Sequence, residues 1–350
     1  MLFELEVLEV PSEIDIVITW VDGTDEDWLR SKALYEGKDN GDSGKKRYRD
    51  WGLLKYWFRG IERFAPWVRC VHFVSAGQVP DWLNAGNERL HIVRHDEFIP
   101  HEYLPTFSCR PIEFNLHRIP GLAEQFVYFN DDMFLISKTN VEDFFRNGLP
   151  CDSAILDAAF IFGGDVGGKR LPVEEYNSSP AMNMVPLNRN FDKRVSMRSN
   201  WSKWVNPRYG VQGLRSLLLM PWKRFTGIKS FHVPYSLLKT TFDEVWEHEP
   251  ELLARACSHR FRNSSDVSSR LLSYWQLAEG EFFPRNPAFG RMYYITGGTG
   301  DVSIYEAIEK GEYKALCLND EYEGDDFECV RDRLIARFAA LLPNKSAFEV

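Results

Sequence analysis

Short β-branched and aromatic runs alternate with polar, helically spaced stretches through the first third of the chain. Residues 14–20, 71–74, 90–93 and 127–129 predict four strands. After the Gly-containing turn at 21–24, a helix is expected to start near Asp25. Residues 51–64 predict another, because Leu54, Trp57, Phe58 and Ile61 recur at helical spacing ahead of Pro66. Helices between successive strands imply a layered α/β fold with a mostly parallel sheet. Residues 36–46, rich in Gly, Asp and Lys without periodicity, read as a mobile loop able to close over a substrate.

The pattern loosens later. Residues 163–180 are rich in Gly, Ser and Pro, and 182–212 are polar with isolated Trp. The glycines at 163–168 fit neither a Walker loop nor a dinucleotide fingerprint. Periodicity returns with helices predicted over 242–257, 266–278 and 327–342 and a short strand over 315–318. The expected organisation is an α/β core over 1–160, an irregular insertion over 161–230 and a helical part over 231–350. The apolar segment 214–222, followed by Lys223 and Arg224, reads first as packed core and second as a peripheral membrane contact.

Composition narrows the partners. Lys and Arg number 42 against 51 Asp and Glu, a net charge of −9 over 350 residues, which argues against a general nucleic-acid binder. Aromatics make up 14%, with 11 Trp, and favour a sugar or nucleotide ligand. The six cysteines show no paired spacing and read as reduced thiols of a cytosolic protein, with no zinc site. The amino terminus lacks a secretory signal and no run reaches the length of a membrane span, so the expected location is the cytoplasm, or the inner membrane face if 214–222 touches lipid.

Chemistry concentrates where predicted strands end. The 127–129 run stops at Asn130, Asp131 and Asp132, and a second strand end carries Asn319, Asp320 and Glu321. Adjacent carboxylates at the carboxyl edge of an α/β sheet suit a hard cation beside phosphates, although such residues also form plain turns. Arg110, His117 and Arg118 lie upstream of the dyad, as phosphate donors or as solvated helix charges.

Four blocks carry a resemblance to the Stealth family of sugar-1-phosphate transferases. They are IDIVITWVDG at 14–23; a long block from RYRDWGLLKYWFRGIERFAPWV at 47–68 to FVYFNDDMFL at 126–135; FHVPYSLLKTTFDEVWEHEPELLARACSHRFRNSSDVS at 231–268; and CLNDE at 317–321 with LPNKSAFE at 342–349. The resemblance implies a glycosyltransferase-A-like, nucleotide-sugar-binding core with a helical insertion. It further implies transfer of hexose 1-phosphate from a UDP-sugar, or another NDP-sugar, to a sugar hydroxyl of an oligosaccharide or polysaccharide acceptor, releasing UMP. An ordinary glycosyltransferase releasing UDP and a non-enzymatic carbohydrate-binding protein remain the alternatives.

Site roles follow from the resemblance. Asp131, Asp132, Asn319 and Asp320 are expected to hold Mg²⁺ or Mn²⁺. His232 is the expected general base, with Arg260 and Arg118, beside His259 and His117, as phosphate clamps. Trp20, Asp22 and Gly23 should meet the nucleobase and ribose, and Arg47, Arg49, Asp50 and Arg110 complete the expected substrate contacts.

Overall fold

The computed structural model describes residues 13–37, 44–159, 164–166, 169–171 and 180–350. Most of the predicted 36–46 loop, the amino terminus and much of the 163–180 stretch lie outside the described residues. Strands β1 (Ile14–Thr19), β2 (Val71–Ser75), β3 (Leu90–Arg94) and β4 (Gln125–Asn130) run parallel, in the order β4-β1-β2-β3. A strand not expected from the sequence, Tyr235–Leu238, pairs antiparallel with β4 and closes that edge. Its four residues alternate too briefly to stand out, and the sheet edge supplies what local pattern lacks.

Register levels the strand ends. Thr19 lies opposite both Asn130 and Val74, so Trp20 and Asp131 leave the sheet on one edge. The chain then turns at Asp131 and Asp132 into β5 (Met133–Leu135), which joins a second sheet. There Ala315–Asp320 lies between β5, antiparallel to it, and Gly290–Ile295, parallel to it.

Helix α1 (Glu26–Tyr35) follows β1, capped by the Asp25 carboxylate on the Trp28 amide. Helix α2 is Leu54–Phe64 and buries Leu54, Trp57, Phe58, Ile61 and Phe64. It starts three residues later than expected because Gly52 is left-handed, at φ +69°, with its amide held by Asp50 Oδ1 at 2.7 Å. Phe58 is fully buried, and its loss to Ala would cost about 3–5 kcal/mol. The closing segment clasps α2: Arg59 donates to both carboxylate oxygens of Glu349 at 2.8 Å and to the Leu342 carbonyl at 3.0 Å. The last family block thus fastens the core.

Three expected elements are corrected. No helix joins β2 to β3, where Gly77, Pro80 and Gly86 hold turns and Leu83 bridges to Glu349. The 242–257 helix is two, Lys239–His248 and Pro250–Ser258, because a residue before proline resists helical torsions and Glu249 sits at φ −131°, ψ 46°. The helix expected from 266 begins at Arg270, since Asp266 is buried and takes His259 instead.

The core around the two sheets is continuous from Ile14 to Phe348. A second cluster, with Trp204, Tyr209, Phe225, Tyr274 and Phe282, organises the helices between 180 and 229.

Candidate active site

A cavity of about 760 Å³ opens where the two sheets meet. Its floor is made by strand ends: Thr19 and Trp20 from β1, Asn130 to Asp132 from β4, and Leu318 to Glu321 from the 315–320 strand. The two acidic ends are tied directly, because the Leu318 amide donates to the Asp132 carbonyl at 2.8 Å. Trp28, Tyr48, Trp51 and Phe107 supply aromatic walls, and Lys46, Arg49 and Arg262 supply cationic ones.

All four residues expected on the metal side line this cavity. Asp131 is open to its water but ringed by protein, and burial, then Asp132 and Asp50, push its carboxyl up to about 7. Asp132 behaves oppposite to its neighbour. Burial would raise its pKa, but the His232 ring beside it, when protonated, and a bond from the Cys317 thiol outweigh that and hold it below the usual range.

The two oxygens of Asp132 differ. Oδ2 accepts from Cys317 Sγ at 3.2 Å and faces His232 Nε2 at 3.6 Å, whereas Oδ1 is buried with no hydrogen-bond partner among the described residues. Asp320 resembles it: Oδ1 takes Arg49 at 3.3 Å and the Tyr322 amide at 3.0 Å, and Oδ2, on a carboxyl that the Trp51 indole also favours in its charged form, is buried with no hydrogen-bond partner among the described residues. A bare buried carboxylate oxygen is costly, and two in one site suit a cation. Asp132, His232 and Cys317 also have ligand atoms within 4.8 Å of one another. Burial and the Asp132 charge hold the Cys317 thiol far above its usual pKa, so it serves as a donor to Asp132 rather than as a thiolate ligand.

His232 lines the cavity in the left-handed backbone region, at φ 47°. A non-glycine residue there carries about 1–3 kcal/mol of strain, tolerated where the surroundings dictate the geometry. A cation approaches the ring: Arg270 stacks on Tyr235 at 3.8 Å and brings a guanidinium nitrogen 3.3 Å from His232 Nδ1. Tyr235 Oη is 3.2 Å from the same nitrogen.

Other expected residues fall elsewhere. Trp20, Arg49 and Asp50 line the cavity, whereas Asp22 lies beside it, its Oδ1 folded onto the Thr24 amide at 2.8 Å as an Asx turn. Gly23 lies so close to Tyr48 that a Cβ there would come 2.0 Å from the Tyr48 carbonyl oxygen, so it seats the loop over the site. The Arg47 side chain is outside the described residues. Arg110 pairs with Glu113 at 3.0 Å behind the wall formed by Cys109 and Ile112.

The four His and Arg neighbours are not among the lining residues either. His117 packs on Phe242, and Arg118 lies over Trp246. His259 Nδ1 contacts Asp266 at 2.7 Å, and Arg260 lies over Tyr35 while its carbonyl accepts from the Phe107 amide at 2.8 Å. These residues brace the walls. Arg262, His95, Lys46, Tyr235, Arg270 and Cys317 were not singled out from the sequence. Arg262, Tyr235 and Cys317 lie within family blocks, which was their available signal.

Comparison with known proteins matches residues 12–40 to Stealth protein CR1, conserved region 1, and residues 47–151 to Stealth protein CR2, conserved region 2. A capsular polysaccharide phosphotransferase of Streptococcus pneumoniae is 36% identical over 342 residues, 96% of this chain and 98% of that protein. The chain belongs to the Stealth family. Another Stealth relative, an exopolysaccharide phosphotransferase of Lactiplantibacillus plantarum, is 38% identical over 97% of both chains. A receptor polysaccharide phosphotransferase of Streptococcus oralis is 37% identical over 97% of this chain and the whole of its own length. This Stealth protein is accordingly a phosphotransferase. Among solved structures, mouse xyloside xylosyltransferase 1 aligns over 90% of this chain and 99% of its own, at 13% identity and a TM-score of 0.33, too low to bear on the fold.

Proposed function

We propose that this chain transfers hexose 1-phosphate from a UDP-sugar, or another NDP-sugar, to a sugar hydroxyl in surface or capsular polysaccharide synthesis. The observation that carries this reading is the meeting of two acidic strand ends with His232 in one cavity, in a chain similar along its full length to polysaccharide phosphotransferases. Parallel strands that end at the cavity support a nucleotide-sugar core of the glycosyltransferase-A type.

Chemically, the acceptor oxygen forms a bond to the β-phosphorus while the bond from that phosphorus to the bridging oxygen breaks, and UMP leaves. His232 takes the hydroxyl proton at Nε2. Arg49, Arg262 and Lys46 oppose the diphosphate oxygens, and the aromatic wall at Trp20, Trp28 and Tyr48 offers faces to the nucleobase. Asp131, Asp132, Asn319 and Asp320 would hold Mg²⁺ or Mn²⁺, which supplies charge neutralisation to the transferring group.

The test is a panel of UDP-sugars with Mg²⁺ and an oligosaccharide acceptor. UMP with a phosphodiester resonance in the phosphorus NMR spectrum is the expected outcome. UDP in place of UMP would overturn the proposed bond cleavage, and no turnover across the panel would overturn the UDP-sugar as donor.

A further inference from the structure

Residues 181–230 carry ten Arg and Lys and a single acidic residue, Asp192, in a chain whose net charge is −9. The helical insertion is therefore strongly cationic within an acidic chain. The segment 214–222, expected first as packed core, is instead exposed: Leu214 is 59%, Leu218 75% and Trp222 56% open to solvent, and Val211 just before it is 83%. Within the helix Gly213–Leu219 only Ser216 is buried, and its hydroxyl accepts the Leu156 amide at 2.9 Å. A polar pin thus holds the helix while Leu214, Leu217 and Leu218 face out and Leu219 packs inward on the second cluster.

The turn that follows is also fixed. The Lys193 ammonium, itself buried, donates to the carbonyls of Leu219 and Trp222 at 2.7 and 3.0 Å, holding Trp222 in its outward position. Arg215, Lys223 and Arg224 are exposed around these apolar side chains, Arg215 also pairing with Asp157 at 3.1 Å and Arg224 donating to the Asn188 carbonyl at 3.2 Å.

We propose that residues 211–224 dock this protein on the headgroup layer of an anionic phospholipid bilayer. Exposed leucines and a tryptophan enter the headgroup–acyl boundary, and the flanking cations meet lipid phosphates. A soluble polyanion would match the charge but leave Val211, Leu214, Leu218 and Trp222 in water. No helix among the described residues is long and apolar enough to cross a membrane, so this contact is peripheral.

The test is co-sedimentation of the full chain with vesicles of phosphatidylcholine alone and of phosphatidylcholine with ~30% phosphatidylglycerol, at low and high salt. The wild type should bind the anionic vesicles about tenfold or more tightly than the neutral ones, and lose much of that binding in high salt. Leu218→Glu with Trp222→Glu should weaken binding by about tenfold or more, with an unchanged melting temperature and unchanged turnover on a soluble acceptor, since neither residue lines the cavity.

Equal binding of this folded variant, or no binding of the wild type to anionic vesicles at low salt, overturns the proposal. So does a wild-type dimer, measured by sedimentation velocity, that the double variant dissolves, because the face would then serve self-association.

Discussion

The backbone amide of Leu318 donates to the carbonyl of Asp132 at 2.8 Å, joining residues 186 positions apart: the turn that follows β4, and the 315–320 strand of the second sheet. This bond makes one site from two acidic segments. Met133 pairs with Cys317 in the same register, and the Cys317 thiol reaches Asp132 Oδ2 from there.

Asp132→Asn should reduce turnover by at least about 10³-fold, through loss of the charge that meets the cation and faces His232, with the fold retained. Removal of divalent cations with EDTA should do the same to the wild type, and Mg²⁺ or Mn²⁺ should restore it. UMP release measures both, and full turnover in excess EDTA would end the metal reading.

His232 Nδ1 has two neighbours with opposite demands. Arg270 can only donate to it, which leaves the ring proton on Nε2, whereas Tyr235 Oη can accept from it, which frees Nε2 as a base. Tyr235→Phe should therefore lower kcat by about tenfold with little change in KM for the donor, and nitrogen NMR should find the neutral ring shifted toward the Nε2–H form. An unchanged tautomer ratio would remove Tyr235 from this role. His232→Ala should lower kcat by about 10²–10⁴-fold.

The cationic contacts divide in the same way. Arg262→Lys should weaken donor binding about tenfold, because the planar fork is lost within the cavity. Arg118→Lys and Arg260→Lys, over Trp246 and Tyr35, should shift donor affinity less than about twofold and act instead on stability. Calorimetric titration with the UDP-sugar separates the two groups, and a large loss of affinity in either of the latter variants would return it to the site.

Strand ends were legible because β-branched runs stop abruptly at carboxylates, a conflict visible without a fold. Asp131, Asp132, Asn319 and Asp320 all reach the cavity for that reason. The clamps were less legible, since an Arg beside a His in a family block looks the same whether it points at substrate or at a ring such as Tyr35. Arg262, two residues beyond Arg260, could be told from it only by packing. Arg270 reaches His232 through tertiary approach, whereas Tyr235 lies only three residues along the same block, and the exposure of 211–224 depends on long-range anchors at Ser216 and Lys193.

His117 gives the protein an acid-labile point outside the cavity. Burial, and then Arg118 and Lys239, pull its pKa down to about 3, and its Nδ1 is buried without a hydrogen-bond partner among the described residues. The unfolded chain binds a proton at this residue as pH falls through about 6.5, while the folded protein refuses it until about 3. Its neutral form therefore leaves stability intact above 6.5, and stability is lost progressively below it, at about 1.4 kcal/mol per pH unit from this one group. Asp243, 3.7 Å from Nε2, would favour the charged ring, but its carboxylate is largely exposed and water screens it. His117→Phe keeps an aromatic ring against Phe242 and removes the titration. Between pH 7.5 and pH 5, urea unfolding of the wild type should lose about 2 kcal/mol more than that of His117→Phe, other titrating groups cancelling in the difference. Parallel losses in the two proteins would mean that His117 is protonated in the folded state and that its surroundings open to water.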